Sequence, residues 1–135
     1  MSAIENAKEL LHTKECACVV LTADGTELIL NGQGISPIVN LLRENPQALQ
    51  GATVADKVIG KAAAMLLAYG GALTIWGDIM SSGALKYLKA SKISAAYEKL
   101  VPVLKNRAGT HQCPMETRAA ELKTSQEAFL SFVTI

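Results

Sequence analysis

Two apolar runs, residues 16–23 and 26–31, flank Asp24-Gly25, and this arrangement constrains the fold more than any other feature of the chain. Asp-Gly suits the tight turn of a β-hairpin, whose central residues take positive φ, so the segment predicts two antiparallel strands. The periodicity changes on both sides of it. Upstream, Ile4, Ala7, Leu10 and Leu11 recur at helical spacing and predict an amphipathic helix over residues 2–13. Downstream, Gly32-Gln33-Gly34 breaks the strand pattern. Ser36 and Pro37 then supply an N-cap and a first-turn proline for a helix that Asn45-Pro46 ends.

Residues 53–69 carry the longest helical pattern, with Gly70-Gly71 as its C-cap. A strand is expected over residues 73–76, a helix from Ser82 to about residue 90, and a strand over 93–97. Residues 101–112 read as loop with room for a short fifth strand, and Pro114 opens a last helical region that continues or restarts near Gln126. A hairpin followed by alternating helices and strands predicts an α/β fold, a mixed sheet of four or five strands with helices on both faces. With 135 residues and no linker or repeat, the chain reads as one domain over residues 1–135.

Aromatic residues make up 4% of the chain, so the core must be built from Ala, Val, Ile, Leu and Met. At 50% hydrophobic and 19% charged, the composition argues against disorder. The longest apolar stretch, 62–76, is split by Gly70-Gly71 and falls short of the ~20 residues of a membrane span. Glu5 and Glu9 argue against a secretory signal in the first helix, so the expected location is cytoplasmic, with no membrane partner. Cys16, Cys18 and Cys113 are expected as reduced thiols, and Cys16 and Cys18, at i and i+2 of a strand, would share one buried face. A net charge of +1 is no footprint for nucleic acid, and Lys86, Lys89 and Lys92 read as the solvated side of a helix.

The run Gly51-Ala52-Thr53-Val54-Ala55-Asp56-Lys57-Val58-Ile59-Gly60-Lys61-Ala62-Ala63-Ala64 resembles the hallmark of the DUF1893 family, a bacterial family of unknown function whose members fold like cytidine deaminases. Ser81-Ser82-Gly83-Ala84, Tyr97-Glu98 with Val101-Pro102, Asn106-Arg107 and Cys113-Pro114-Met115-Glu116 follow in the family's order, with Met80 where Ile is expected. The resemblance spans about residues 16–118. It implies a three-layer α-β-α cytidine-deaminase-like fold and no established activity.

Zinc-dependent base deaminases hold their metal with His-x-Glu at the start of one helix and Pro-Cys-x-x-Cys at the start of the next. By element order, the corresponding slots here read Ala55-Asp56-Lys57-Val58 and Ser81-Ser82-Gly83-Ala84-Leu85, without His or Cys. No metal and no cofactor are therefore expected, and a divergent deaminase ranks last among the functional readings.

Other residues fill those slots. Thr53 and Asp56 have the form of a capping box, which would account for Asp56. Lys57 and Lys61 would be like charges one turn apart near a helix N-terminus, with Gly60 between them, all unfavourable to a helix. Either an anion approaches the backbone at Gly60, or the lysines reach into water and Gly60 makes a close packing contact. Ser81 or Ser82 would cap the next helix, where hydroxyl and N–H groups also suit a phosphate. Asn106 and Arg107 suit a carboxylate or phosphate but are equally ordinary loop residues. Cys113 and Glu116 open the last helical region, as a thiolate favoured by the helix dipole or as a cap with Cys in place of Ser.

These readings converge on a pocket for a small anionic metabolite such as a nucleotide, lined by Lys57, Gly60, Lys61, Ser81, Ser82, Asn106 and Arg107. The alternative is a zinc-independent hydrolase or transferase using Asp56, Glu116 or Cys113. A homo-oligomer is compatible with either.

Overall fold

The computed structural model describes residues 2–104 and 114–133. Helix α1, Ala3–Thr13, starts at Ser2, whose hydroxyl accepts the Glu5 N–H at 3.3 Å. Strands β1, Cys18–Leu21, and β2, Glu27–Leu30, form the expected antiparallel hairpin, Cys18 opposite Leu30 and Leu21 opposite Glu27. In its turn the Thr26 N–H donates to the Asp24 carboxylate at 3.1 Å, while Gly25 takes φ +91°. Helix α2, Ser36–Glu44, begins with Ser36 itself, so Ser36 is not the N-cap; its hydroxyl instead donates to the Gln33 carbonyl at 2.8 Å. A single 3-10 turn, Pro46–Leu49, follows.

The sequence reading departs most from the structure at Thr53. Thr53–Ile59 is strand β3, and only Lys61–Gly70 is helix, α3. The β-branched residues Thr53, Val54, Val58 and Ile59 favour the pleated conformation. Val54 and Ala55 are both buried, which hides the alternation that marks a strand covered on one side only. The capping box at Thr53 and Asp56 therefore does not form, and Lys57 and Lys61 do not share a helix. Strand β4, Thr74–Ser81, helix α4, Ser82–Ala90, and strand β5, Ser94–Val101, complete the alternation. Helices α5, Pro114–Ala120, and α6, Ser125–Phe132, close the chain; in α6, Thr124 and Glu127 form a true capping box.

Among the described residues the sheet has five strands in the order β2-β1-β3-β4-β5. β1 runs antiparallel to both β2 and β3, while β3, β4 and β5 are parallel, the mixed sheet expected. Helix α1 covers one face, where Ala7 and Leu11 meet Val19, Ala55 and Trp76. The later helices cover the other, burying Val20, Val54 and Ile75 beneath Leu42, Met65, Leu66, Leu88 and Phe132. Helices thus lie on both faces, one against several. Cys16 and Cys18 are buried free thiols but do not share a face: Cys16 precedes β1 and joins the α1 side, whereas Cys18 faces the larger core. No helix among the described residues is long and apolar enough to cross a membrane.

Gly71 ends α3 in the left-handed conformation at φ +92°, and a Cβ there would lie 2.7 Å from Gln50 Oε1. Gly71→Ala is expected to lower unfolding stability by about 1 kcal/mol or more, as read by urea denaturation.

Candidate functional site

Parallel strands direct their carboxyl ends to one edge of the sheet, and the helices that follow them begin there. At this edge Gly60 is the N-cap of α3 and has no side chain to offer the first N–H groups of the helix. The Glu116 carboxylate, from α5, supplies what is missing. Lys61 N–H donates to Oε1 at 2.7 Å and Ala62 N–H to Oε2 at 3.1 Å. A Cβ on Gly60 would collide with that carboxylate, so the glycine is required for the close approach. Lys61 completes a reciprocal clasp, its ammonium donating to the Leu122 carbonyl at 2.9 Å. Of the two readings of Gly60, the packing contact holds: the anion at its backbone is a side chain of the protein.

Asp56 stands in β3 and faces the larger core, 7% exposed. Beyond it the burial pattern slips by one residue, leaving Lys57 and Val58 exposed and Ile59 buried. The Val58 N–H turns to Asp56 Oδ1 at 3.1 Å. Burial raises the Asp56 carboxyl from its ordinary 3.8 to about 7, against the pull of the Val58 N–H hydrogen bond, with the nearby Asp78 carboxylate adding to the rise.

Asp56, Lys57, Gly60 and Glu116 line one cavity of about 330 Å³. Gly32 and Gly34, from the loop before α2, form another part of its wall, and Ile35, Val58, Ala63 and Leu104 make it largely apolar. Behind Glu116 a second hollow of about 230 Å³ holds Lys61, Ser81 and Gly83. Ser81 is the cap of α4, accepting the Ala84 N–H at 3.1 Å, and Ser82 donates to the Val101 carbonyl at 3.3 Å. The structure thus divides the expected site: Asp56, Lys57 and Gly60 on one side of Glu116, Lys61 and Ser81 on the other, and Ser82 turned to β5. Asn106, Arg107 and Cys113 lie outside the described residues.

Cys18 was not among the expected site residues, although it is the cross-strand partner of Asp56. Nothing local marks that pairing, because strand register couples residues far apart in the chain. Gly32-Gln33-Gly34 did carry a local signal, its break in the strand pattern. The deaminase-like resemblance directs zinc to the starts of α3 and α4. Among the described residues Gly60, Lys61, Ser81 and Ser82 stand there, none with a His or Cys donor, and Glu116 is already bound to helix N–H groups. No group of three His, Cys, Asp or Glu among the described residues is placed to hold a metal.

These features define a three-layer α/β protein with a carboxyl-bearing cavity at the carboxyl edge of its sheet. The chain belongs to the DUF1893 family: residues 6–134 match the family model described as Domain of unknown function (DUF1893). The crystal structure of a DUF1893 family protein (TM1506) from Thermotoga maritima shares the fold, with a TM-score of 0.83 at 24% sequence identity. The match covers 96% of this chain and 86% of that one. No curated protein matches the chain.

Two outcomes follow from this geometry. Glu116→Ala should cost roughly 2–4 kcal/mol, since it strands two helix N–H groups that held a carboxylate. Gly60→Ala expels the same carboxylate, so a double-mutant cycle by urea denaturation should show the two losses to be strongly non-additive. Asp56 binds its proton more tightly folded than unfolded, so its contribution to stability is greatest below about pH 4 and is lost as pH rises through about 7. Asp56→Asn should remove that slope. Relative to wild type it should gain up to roughly 4 kcal/mol between pH 4 and pH 8, measured by denaturation at both.

Proposed function

We propose that the chain binds a small metabolite in the cavity beside β3, with Asp56 exchanging a proton or hydrogen bond with the ligand's uncharged body. The observation that carries this reading is a buried carboxyl, titrating near neutrality, in the wall of an otherwise largely apolar cavity. A cavity of about 330 Å³ lies within the usual range for small ligands, roughly 300–1,000 Å³.

The charge of the ligand follows from the wall. Asp56 and Glu116 disfavour an anionic group inside, and the start of α3 already has its carboxylate. Lys57 is exposed and contributes to the same cavity, so an anionic group fits beside Lys57 with the uncharged part inward. A nucleotide, with a hydrogen-bonding ring and a phosphate, has this division. A zinc-independent enzyme is the second reading, favoured by the same Asp56, whose pKa of about 7 suits a general acid or base.

Thermal denaturation with adenosine, cytidine and their 5′-monophosphates tests the proposal. At ten times its dissociation constant, a bound ligand should add on the order of 1.4 kcal/mol of stability. The monophosphates should stabilise more than the nucleosides, Lys57→Ala should erase that difference, and Asp56→Leu should abolish both effects. Absence of stabilisation by all four compounds at millimolar concentration overturns the nucleotide reading.

A further inference from the structure

Cys18 lies directly across from Asp56 in the antiparallel β1–β3 ladder. Directly paired residues of an antiparallel ladder project from the same face, with Cβ atoms about 4.5–5.5 Å apart. Cys18 is fully closed off from solvent in the larger core, whereas Asp56 reaches the cavity wall. Cys18 does not line that cavity, so it meets the carboxyl from the closed side.

We propose that Cys18 is a positioning residue for Asp56, its thiol donating a hydrogen bond to the carboxyl from within the core and keeping the carboxyl turned to the cavity. The inference rests on the Asp56 site and adds to it a residue that no ligand would touch. The position asks for two things at once. It must be small and apolar enough for a closed core beside Val20 and Val54, and it must bring a donor to a buried carboxyl. Cysteine meets both demands; valine or alanine would leave the carboxyl one donor short. Cys16 makes a useful contrast, because its thiol points to the Leu11 carbonyl at 4.0 Å on the other side of the sheet.

The surrounding charges keep the thiol in the donor role. Burial and the Asp56 carboxylate push the Cys18 thiol well above its ordinary range, and Cys16 adds in the same direction. Around Asp56 itself stand Cys18 from β1, the Lys57 and Val58 N–H groups of its own strand, Asp78 from β4, and Glu116 across the cavity from α5. The Lys57 ammonium belongs to the open, cavity side, so among the described residues Cys18 is the donor placed on the closed side of Asp56.

The test is the titration of the Asp56 carboxyl carbon by NMR in wild type, Cys18→Val and Cys18→Ser. Cys18→Val fills the core without a donor and should raise the midpoint by about 0.5–1 pH unit, the effect of one lost neutral hydrogen bond. Cys18→Ser keeps a donor and should leave the midpoint at or below wild type, whatever its cost in stability. Equal midpoints in all three proteins, with wild type near 7, overturn the positioning role and leave the Asp56 site standing. A wild-type midpoint near 3.8 overturns the Asp56 reading itself. Should either variant fail to fold, the infrared S–H stretch of wild type decides. It should shift as Asp56 titrates, in a step absent from Asp56→Asn, and no such step overturns the proposal.

Discussion

The Glu116 carboxylate on the first N–H groups of α3 is the interaction on which the site end of the molecule depends. Gly60 leaves that helix end without a cap of its own, and the partner that fills it comes from α5, 55 residues beyond Lys61. Lys61 returns the contact to the Leu122 carbonyl, so the start of α3 is joined both to α5 and to the turn that follows it. From α5 the connection runs on to α6: the Arg118 guanidinium donates to the Ser131 carbonyl at 2.8 Å and lies over the Phe132 ring. One buried carboxylate thus anchors the C-terminal helices to α3 and forms the wall between two cavities.

That anchor also changes the chemistry open to the site. A free helix N-terminus invites an anion; one that already holds a carboxylate opposes a second. Asp56 is held otherwise: its strand keeps it in the core, and the cost of burying its charge raises its carboxyl to about 7. The second acid of this region, Asp78, is held quite differently. It accepts from the Trp76 indole at 2.7 Å and pairs with His12 of α1 at 2.8 Å, while the Lys8 ammonium sits over the Trp76 ring at 3.8 Å. One carboxyl is committed to fastening α1 to the sheet, and the other faces a cavity.

Much of the architecture was legible from local pattern. The Asp24-Gly25 hairpin, α1 with Ser2 before it, the Gly70-Gly71 stop of α3 and the alternation from β4 to β5 all rest on turn chemistry or on periodicity within a few residues. β3 was not legible. Val54, Ala55 and Asp56 are buried in succession by partners that the sequence does not place beside them, so the strand's alternation is hidden and its period resembles that of the helix it precedes. The same misreading put Lys57 and Lys61 one turn apart on one helix, whereas a strand end, a glycine and a helix start separate them.

The candidate site was legible only in part, because the expected residues divide between two cavities. Asp56, Lys57, Gly60 and Glu116 do meet in one cavity, and Gly60 was recognisable as a glycine out of place in a helix. What the anion at Gly60 would be, and which residue would stand behind Asp56, could not be read locally. Residue type and short-range spacing settled the class of fold and the kinds of group available, because turns, caps and periodicity act within one or two helical turns. The pairing of Glu116 with α3 and of Cys18 with Asp56 was decided only by tertiary structure. Those contacts depend on strand register and helix packing, which bring together residues that the chain keeps far apart.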